Sequence, residues 1–479
     1  MSNIKKMIKM PTIEKNKHPD YQKDYQNIEQ TKRNVKVEDT GVSELKGTKV
    51  YMTEEQLVRE RITNVLKENF KLYSYKPIET SILEFYSIAA SKYGGGSEIL
   101  KETYKLTDQG GRELCLRYEL TFKLAKLIAE NPTIKMPFKR YEIGKVFRDG
   151  PVTSGRLREF TQCDVDVIGT DSRISDAEFL SMTAKIFKDL NLDVYTEVND
   201  RQLLFSLFEY SGIKPELFID TALSVDKLLK IGWEGVRKEL IEKKVPEASI
   251  TKLFDLLEAV NKSGNTNEAK IAFLEQKLNS TLATEGIASL KEVLRYVKAM
   301  GLKEDIRFEP SLSRGLSYYT GTMWEVFPKD SKIKSTVSAG GRWDNMISEF
   351  AKTENKYPSV GMTFGLDAIF AALQEKSTSL RVNSTEAIPK VLIIYIGDES
   401  LDKALEVAER LRAQDISCDI SIAKKVRKAM DNANKNDTPF VVIIGSKEIS
   451  DKVVLLKNMS NGTESRLELE KLADEINKL

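Results

Sequence analysis

Four short segments concentrate arginines, acids and aromatic residues on what read as strands, where alternate side chains share a face. They are LRYELT, with Arg117, Glu119 and Thr121; FRDGPVTSGRLREFTQCDVD, with Arg148, Arg156, Arg158, Phe160, Gln162, Asp164 and Asp166; SLSRGLSYYTGTMWEVF, with Arg314, Tyr318 and Tyr319; and SAGGRWDNM, with Arg342, followed by SVGMTFGLDAIF. Each alone is satisfied by cross-strand ion pairs on a wet sheet face, which contribute little. The combination points elsewhere. Phe160, Gln162, Asp164 and Asp166 fall on the same face as Arg156 and Arg158, a poor hydrophobic core and a good polar floor. Such a floor suits a ligand bearing both phosphates and an amino group. In the third segment the terminal Val, Trp and Phe read as a buried strand, and a guanidinium entering a sheet core is costly unless an anion meets it. Arg314 therefore calls for an anion.

Composition narrows the chemistry. The chain has 479 residues, 41% hydrophobic and 30% charged, with a net charge of +2. That is a soluble multidomain protein whose nucleic-acid surface, if any, is local. There is one histidine, His18, in a polar N-terminal stretch. A Ser-His-Asp triad, a histidine general base or a multi-histidine metal site is thereby disfavoured. The work falls to carboxylates, arginines, tyrosines and the substrates. Cys115, Cys163 and Cys418 are far apart with no CxxC pair, which argues against a disulfide framework or a cysteine zinc site. No apolar run approaches the roughly 18–20 residues that span a bilayer, so a cytoplasmic protein without membrane contact is expected.

The elements that must position these residues can be read in outline. Residues 1–48 carry ten Lys/Arg against seven Asp/Glu without a sustained period. A basic, disordered arm is expected over 1–46, either a solvated tail or an aid to RNA binding. Thr53-Glu54-Glu55-Gln56 fits a capping box before a helix. YSYKPIETSILEF reads as a strand broken by Pro77, hence an edge. GGRELCLRYELT reads as a strand, and FKRYEIGKVF with EFTQCDVDVIG as an antiparallel pair. Residues from about 201 to 305 read as a helical insertion, 377–389 as a linker, and 390–479 as a small α/β domain with a largely parallel sheet. The fold class is α+β.

KPIETSILEF, LRYELT, VFRDGPVTSGRLREFTQCDVDVIG, RGLSYYTGTMWEVF and GGRWDNM…SVGMTFGLDAIF stand in an order that resembles the histidyl-tRNA synthetases. RGLSYYTGT is the most diagnostic, being similar to the family's histidine-specific segment. KVLIIYIG…KKVRKAMDNANKNDTPFVVIIG resembles the anticodon-binding domain of that class II subgroup. The resemblance implies a class II antiparallel sheet flanked by helices over 47–376. It also implies activation of L-histidine by ATP, with Mg2+, and transfer to tRNA(His) by a homodimer. Matched residue by residue, Arg148 and Arg314 grip the α-phosphate, and Arg314 also meets the histidine carboxylate. Arg156, Arg158 and Phe160 line the ATP site, with Phe160 stacking on adenine. Glu119 and Thr121 receive the α-ammonium, and Gln162 reaches the carboxylate or phosphate. Asp166 and Tyr319 address the two imidazole nitrogens, with Tyr318 beside them. Basic positions Lys424, Lys425, Arg427 and Lys428 are candidates for anticodon contact, and Pro77 with its flanks resembles the class II dimer motif.

Three positions depart from the family pattern. Gly150 stands where an adenine-contacting acid is usual, Ser317 where aspartate is usual, and Ala368 where an arginine grips the γ-phosphate. Losing a charge-assisted clamp costs roughly 1.5–3 kcal/mol. Arg156, Arg158 and Arg342 are candidates to replace it. The alternative readings are a non-catalytic tRNA-binding or regulatory paralogue and a class II enzyme for another amino acid.

Overall fold

The computed structural model describes residues 45–93, 98–153, 156–302, 305–315, 318–333, 335–376, 389–422 and 425–478. The expected arm, up to residue 44, and the expected linker, up to 388, lie outside the described residues, as do Ser317 and Lys424.

The largest element is an eight-stranded sheet in the order β1 (Lys76–Pro77), β5 (Phe138–Phe147), β6 (Glu159–Ile168), β11 (Ser359–Gly365), β10 (Ser338–Arg342), β9 (Thr322–Pro328), β7 (Val194–Asp200) and β8 (Asp305–Phe308). Its pairings are antiparallel except β1 with β5 and β7 with β8. Pro77, which has no N–H to give a ladder, sits in the outermost strand as its chemistry requires.

Register separates the two faces. One row across the sheet reads Tyr141, Val165, Met362, Gly340, Trp324, Val198 and Phe308. These side chains, with Val58, Ile62, Leu66 and Phe70 of the helix Thr53–Leu72 and Phe179 and Leu180 of the helix Arg173–Asp189, belong to one buried core. Phe70 lies 5.3 Å from Tyr141 and 5.8 Å from Phe364 between ring centroids. Each such side chain contributes roughly 1.5–3 kcal/mol by leaving water. The neighbouring row reads Arg140, Asp166, Gly361, Gly341, Met323 and Asn199 and must face the other way. The polar floor is therefore the back of the main core.

Residues 201–299 form a run of helices, and Leu203, Leu207, Leu253 and Val293 among them join the same core. A three-stranded sheet, β2 (Leu83–Phe85), β4 (Glu113–Leu116) and β3 (Lys105–Thr107), stands apart from the large one.

Three local expectations are corrected. The capping box does not form: Thr53 is already the first helical residue, Met52 is the N-cap without a side-chain bond, and the Gln56 amide donates to Glu60 at 3.3 Å. LRYELT is not a strand: β4 ends at Leu116, and Thr121 opens the helix Thr121–Glu130. Glu119 accepts from the N–H groups of Thr121 and Phe122 at 2.5 and 2.8 Å, a carboxylate at a positive helix end, and this outweighs the strand alternation. Third, the C-terminal sheet is mixed. Its order is β13 (Cys418–Ile420), β12 (Val391–Tyr395), β14 (Phe440–Ile444), β15 (Val454–Asn458) and β16 (Glu464–Leu467). The first two pairings are parallel and the last two antiparallel. The connection from Ile444 to Val454 holds only a five-residue helix, too short for the crossover a parallel neighbour needs.

Candidate active site

The row beside Asp166 reads Glu142, Asp164, Thr363, Ala339, Glu325, Glu197 and Arg307. Acids at both ends thus flank a centre of small residues. A Cβ on Gly361 would lie 1.8 Å from Asp166 Oδ1, and one on Gly341 would lie 2.8 Å from the Tyr319 ring. Those glycines are register partners. Their missing side chains leave the space in which Asp166 and Tyr319 lie over adjacent strands. Larger residues at either position would fill the floor.

Asp166 is held from behind. Arg140 is completely buried, with Nη2 2.8 Å from Asp166 Oδ2 and Nη1 3.8 Å from Glu142 Oε2. Glu142 also accepts from Arg117 Nη1 at 2.9 Å and from the Thr80 N–H and hydroxyl at 2.9 and 2.8 Å. Arg117 is thus a support for Glu142. Burial pushes the carboxyls of Asp164 and Asp166 up, with Arg140 opposing the shift in both. The Gln162 amide donates to Thr363 Oγ1 at 3.1 Å, while its buried Oε1 has no partner among the described residues. An unmatched acceptor on a ligand floor is a waiting contact.

Arg314 sits in the loop before β9 with a left-handed φ of 57°, a conformation that costs a non-glycine residue about 1 kcal/mol or more. Its Nη1 donates to Glu325 Oε1 at 2.6 Å and its Nη2 to the Tyr319 hydroxyl at 3.0 Å. Burial works against its charge, but Tyr319 and Glu325 outweigh that and its pKa is raised. The sequence reading had only a substrate anion to meet Arg314. Glu325, an acid in the middle of the apolar run TMWEVF, was the missed signal. The Tyr318 and Tyr319 rings are 4.9 Å apart, and both residues precede β9. Burial, Tyr319 and Glu119 raise the Tyr318 phenol.

Arg148 lies between two rings, 4.2 Å over Tyr118 and 5.0 Å over Phe160. Phe160 opens β6, in line with Gln162, Asp164 and Asp166. Arg156 pairs with Glu102 at 3.3 Å, and Arg158 with Asp149 at 3.4 Å, both in the loop beyond β5 and off the strand face expected of them.

The family profile for histidyl-tRNA synthetase matches residues 47–369, and that for an anticodon binding domain matches 390–479. The chain belongs to the histidyl-tRNA synthetase family. Histidine--tRNA ligase 1 of Bacillus thuringiensis subsp. konkukian (strain 97-27) is 43% identical over 90% of this chain and 98% of its own length. Histidine--tRNA ligase of Danio rerio is 32% identical over 90% and 88%. The crystal structure of histidyl-tRNA synthetase from Nostoc sp. PCC 7120 superposes with a TM-score of 0.74, covering 91% of this chain and 99% of that one at 24% identity. The α+β class II fold follows.

Ala368 is buried in the main core, next to Asp367. Asp367 is buried against Arg59 at 2.6 Å, accepts from the Thr161 N–H at 2.7 Å and from the Tyr51 hydroxyl. Arg342 is no substitute clamp. It lies on the core face of β10, buried against Asp176 at 2.6 Å and donating to the carbonyls of Thr170 and Ser172. Arg156 and Arg158 remain the candidates.

Proposed function

We propose the following division of labour. The chain activates L-histidine with ATP, forming histidyl-adenylate and pyrophosphate, and then transfers the histidyl group to the terminal ribose of tRNA(His), releasing AMP. In the first step a histidine carboxylate oxygen bonds to the α-phosphorus while the bond to the bridging oxygen breaks. Two anions must meet, so positioning and fixed cations carry the catalysis. Arg148 and Arg314 hold the α-phosphate oxygens, and Arg314 exchanges its Glu325 contact for the substrate anions. Phe160 gives its face to adenine while Arg148 stays on the Tyr118 ring and reaches the phosphate. Arg156 and Arg158 serve the outer phosphates. Mg2+ enters with ATP and is held mainly by phosphate oxygens.

Glu119 takes the α-ammonium beside Thr121. Gln162 meets the carboxylate or phosphate, Asp166 and Tyr319 take the imidazole nitrogens, and Tyr318 closes that side. The observation that carries the histidine reading is the Gly361–Gly341 pair with Asp166 and Tyr319 above it. Histidine-dependent exchange of pyrophosphate into ATP tests it: the account requires exchange with L-histidine and none with proline, threonine or glycine.

The catalytic unit spans 47–376 with its helical insertion near 201–305, and the anticodon unit 390–479. Within the latter Lys425, Arg427 and Lys428 are exposed at the start of the helix Val426–Lys435, an electrostatic footprint for RNA. The protein works as a homodimer: Ile82, Leu83 and Phe85 leave an apolar patch on β2 that is 41%, 47% and 43% exposed, and such patches mark interfaces. No helix among the described residues is long and apolar enough to cross a membrane, and the cysteines are free thiols. A cytoplasmic location suits both.

A further inference from the structure

Arg148 is a long, flexible cation, and among the described residues its guanidinium is held by one bond from Nε to the Tyr118 carbonyl at 3.3 Å and by the faces of Tyr118 and Phe160. The orientation of the Tyr118 ring therefore matters. That ring is buried, and its hydroxyl donates to Glu102 Oε2 at 2.9 Å. Burial and the Glu102 carboxylate together push the Tyr118 phenol up to about 12, against the pull of Arg148, so it stays a donor. Glu102 is itself fixed. Its carbonyl accepts from the Asp149 N–H at 2.7 Å, and its carboxylate also takes Arg156 Nη2 at 3.3 and 3.4 Å.

Gly150 makes this possible. A Cβ there would lie 2.6 Å from Glu102 Oε1, so any side chain would displace the carboxylate. The position two residues beyond Arg148 is thus empty because an acid from another segment fills the space.

We propose that Glu102 is a positioning residue for Arg148, acting through the Tyr118 ring that it orients. Glu102 fixes the ring, the ring face holds the guanidinium, and ATP meets a cation already placed. The proposal rests on the assignment of Arg148 to the α-phosphate.

The test is histidine-dependent pyrophosphate exchange by the full chain carrying Tyr118→Phe, Glu102→Gln, both together, Gly150→Ala, or Arg148→Ala. Tyr118→Phe and Glu102→Gln should each raise the KM for ATP about tenfold, the effect of losing one hydrogen bond to a charged group. The KM for histidine should hold, and the double variant should match the worse single one, since both remove the same charged bond, Gln leaving only a neutral acceptor. Gly150→Ala should act in the same direction, and it carries the test if Glu102→Gln does not fold. A rise in both KM values together, or additive losses in the double variant, would overturn the relay. If Arg148→Ala is impaired while Tyr118→Phe is not, the relay alone fails. If Arg148→Ala exchanges normally, the α-phosphate assignment fails instead.

Discussion

A buried guanidinium needs a partner in every state the protein visits, and Arg314 has one in each. Without substrate, Glu325 neutralises it at 2.6 Å; in the proposed complex, phosphate and carboxylate oxygens replace that contact. The left-handed backbone at Arg314 is then a cost borne to aim the side chain. Arg314→Ala should lower the rate of adenylate formation about 10²–10³-fold, the effect of removing one fixed donor from a developing anion, as read by single-turnover formation of histidyl-adenylate. Asp166 is argued on different grounds. It is held by Arg140 and faces the space over Gly361, so Asp166→Asn should cut kcat/KM for histidine about 10- to 100-fold through one charged hydrogen bond. The KM for ATP should stay near its original value. Steady-state exchange at varied histidine and varied ATP separates the two.

Among the elements, the helix Thr53–Leu72 is tied to β6 and to the helix Leu366–Lys376 through one buried ion pair. Arg59 meets Asp367, and Asp367 takes the Thr161 N–H where β11 has ended at Gly365. Breaking a buried pair strands a charge and costs about 3–5 kcal/mol; Arg59→Met should lower the urea midpoint of the catalytic unit by that measure. The cross-strand pair Glu197 and Glu325 makes a pH prediction. Burial first, then Glu309 and Glu325, push the Glu197 carboxyl up to about 7, with Arg307 and Lys270 opposing. A carboxyl raised on folding keeps its proton while the unfolded chain has lost it, so stability falls as pH rises from about 4.5 through about 7. Glu197→Gln should flatten that fall, and melting curves at acid and at mildly alkaline pH should show the variant's advantage growing with pH. These elements were unequally legible. The β5–β6 pair and its polar face were readable because period-two alternation survives over ten residues. LRYELT misled because Glu119 starts a helix there, a choice set by local capping that alternation does not reveal. Glu325 and Arg140 were missed because their partners, Arg314 and Asp166, are joined to them only by the folded register.

On the scale of the whole molecule, the large sheet divides labour between its faces. One face supplies the core, and the other presents a floor of small and polar residues, the proposed site of the reaction. The order of the segments was legible because each carries its own alternation and glycine pattern; how Gly361 comes to lie beside Gly341 was not, because that pairing joins two strands only in the fold. The exposed apolar patch of Ile82, Leu83 and Phe85 predicts that Phe85→Glu shifts the protein from dimer toward monomer in sedimentation velocity, by placing a charge in an apolar interface. The central claim is that two guanidinium groups converge on one phosphorus. A crystal structure with a non-hydrolysable histidyl-adenylate analogue tests it most directly. The account predicts Arg148 and Arg314 each about 3 Å from oxygens on that phosphorus, with Arg314 released from Glu325. An analogue bound with either guanidinium turned away from that phosphorus, or with Arg314 still on Glu325, would contradict it.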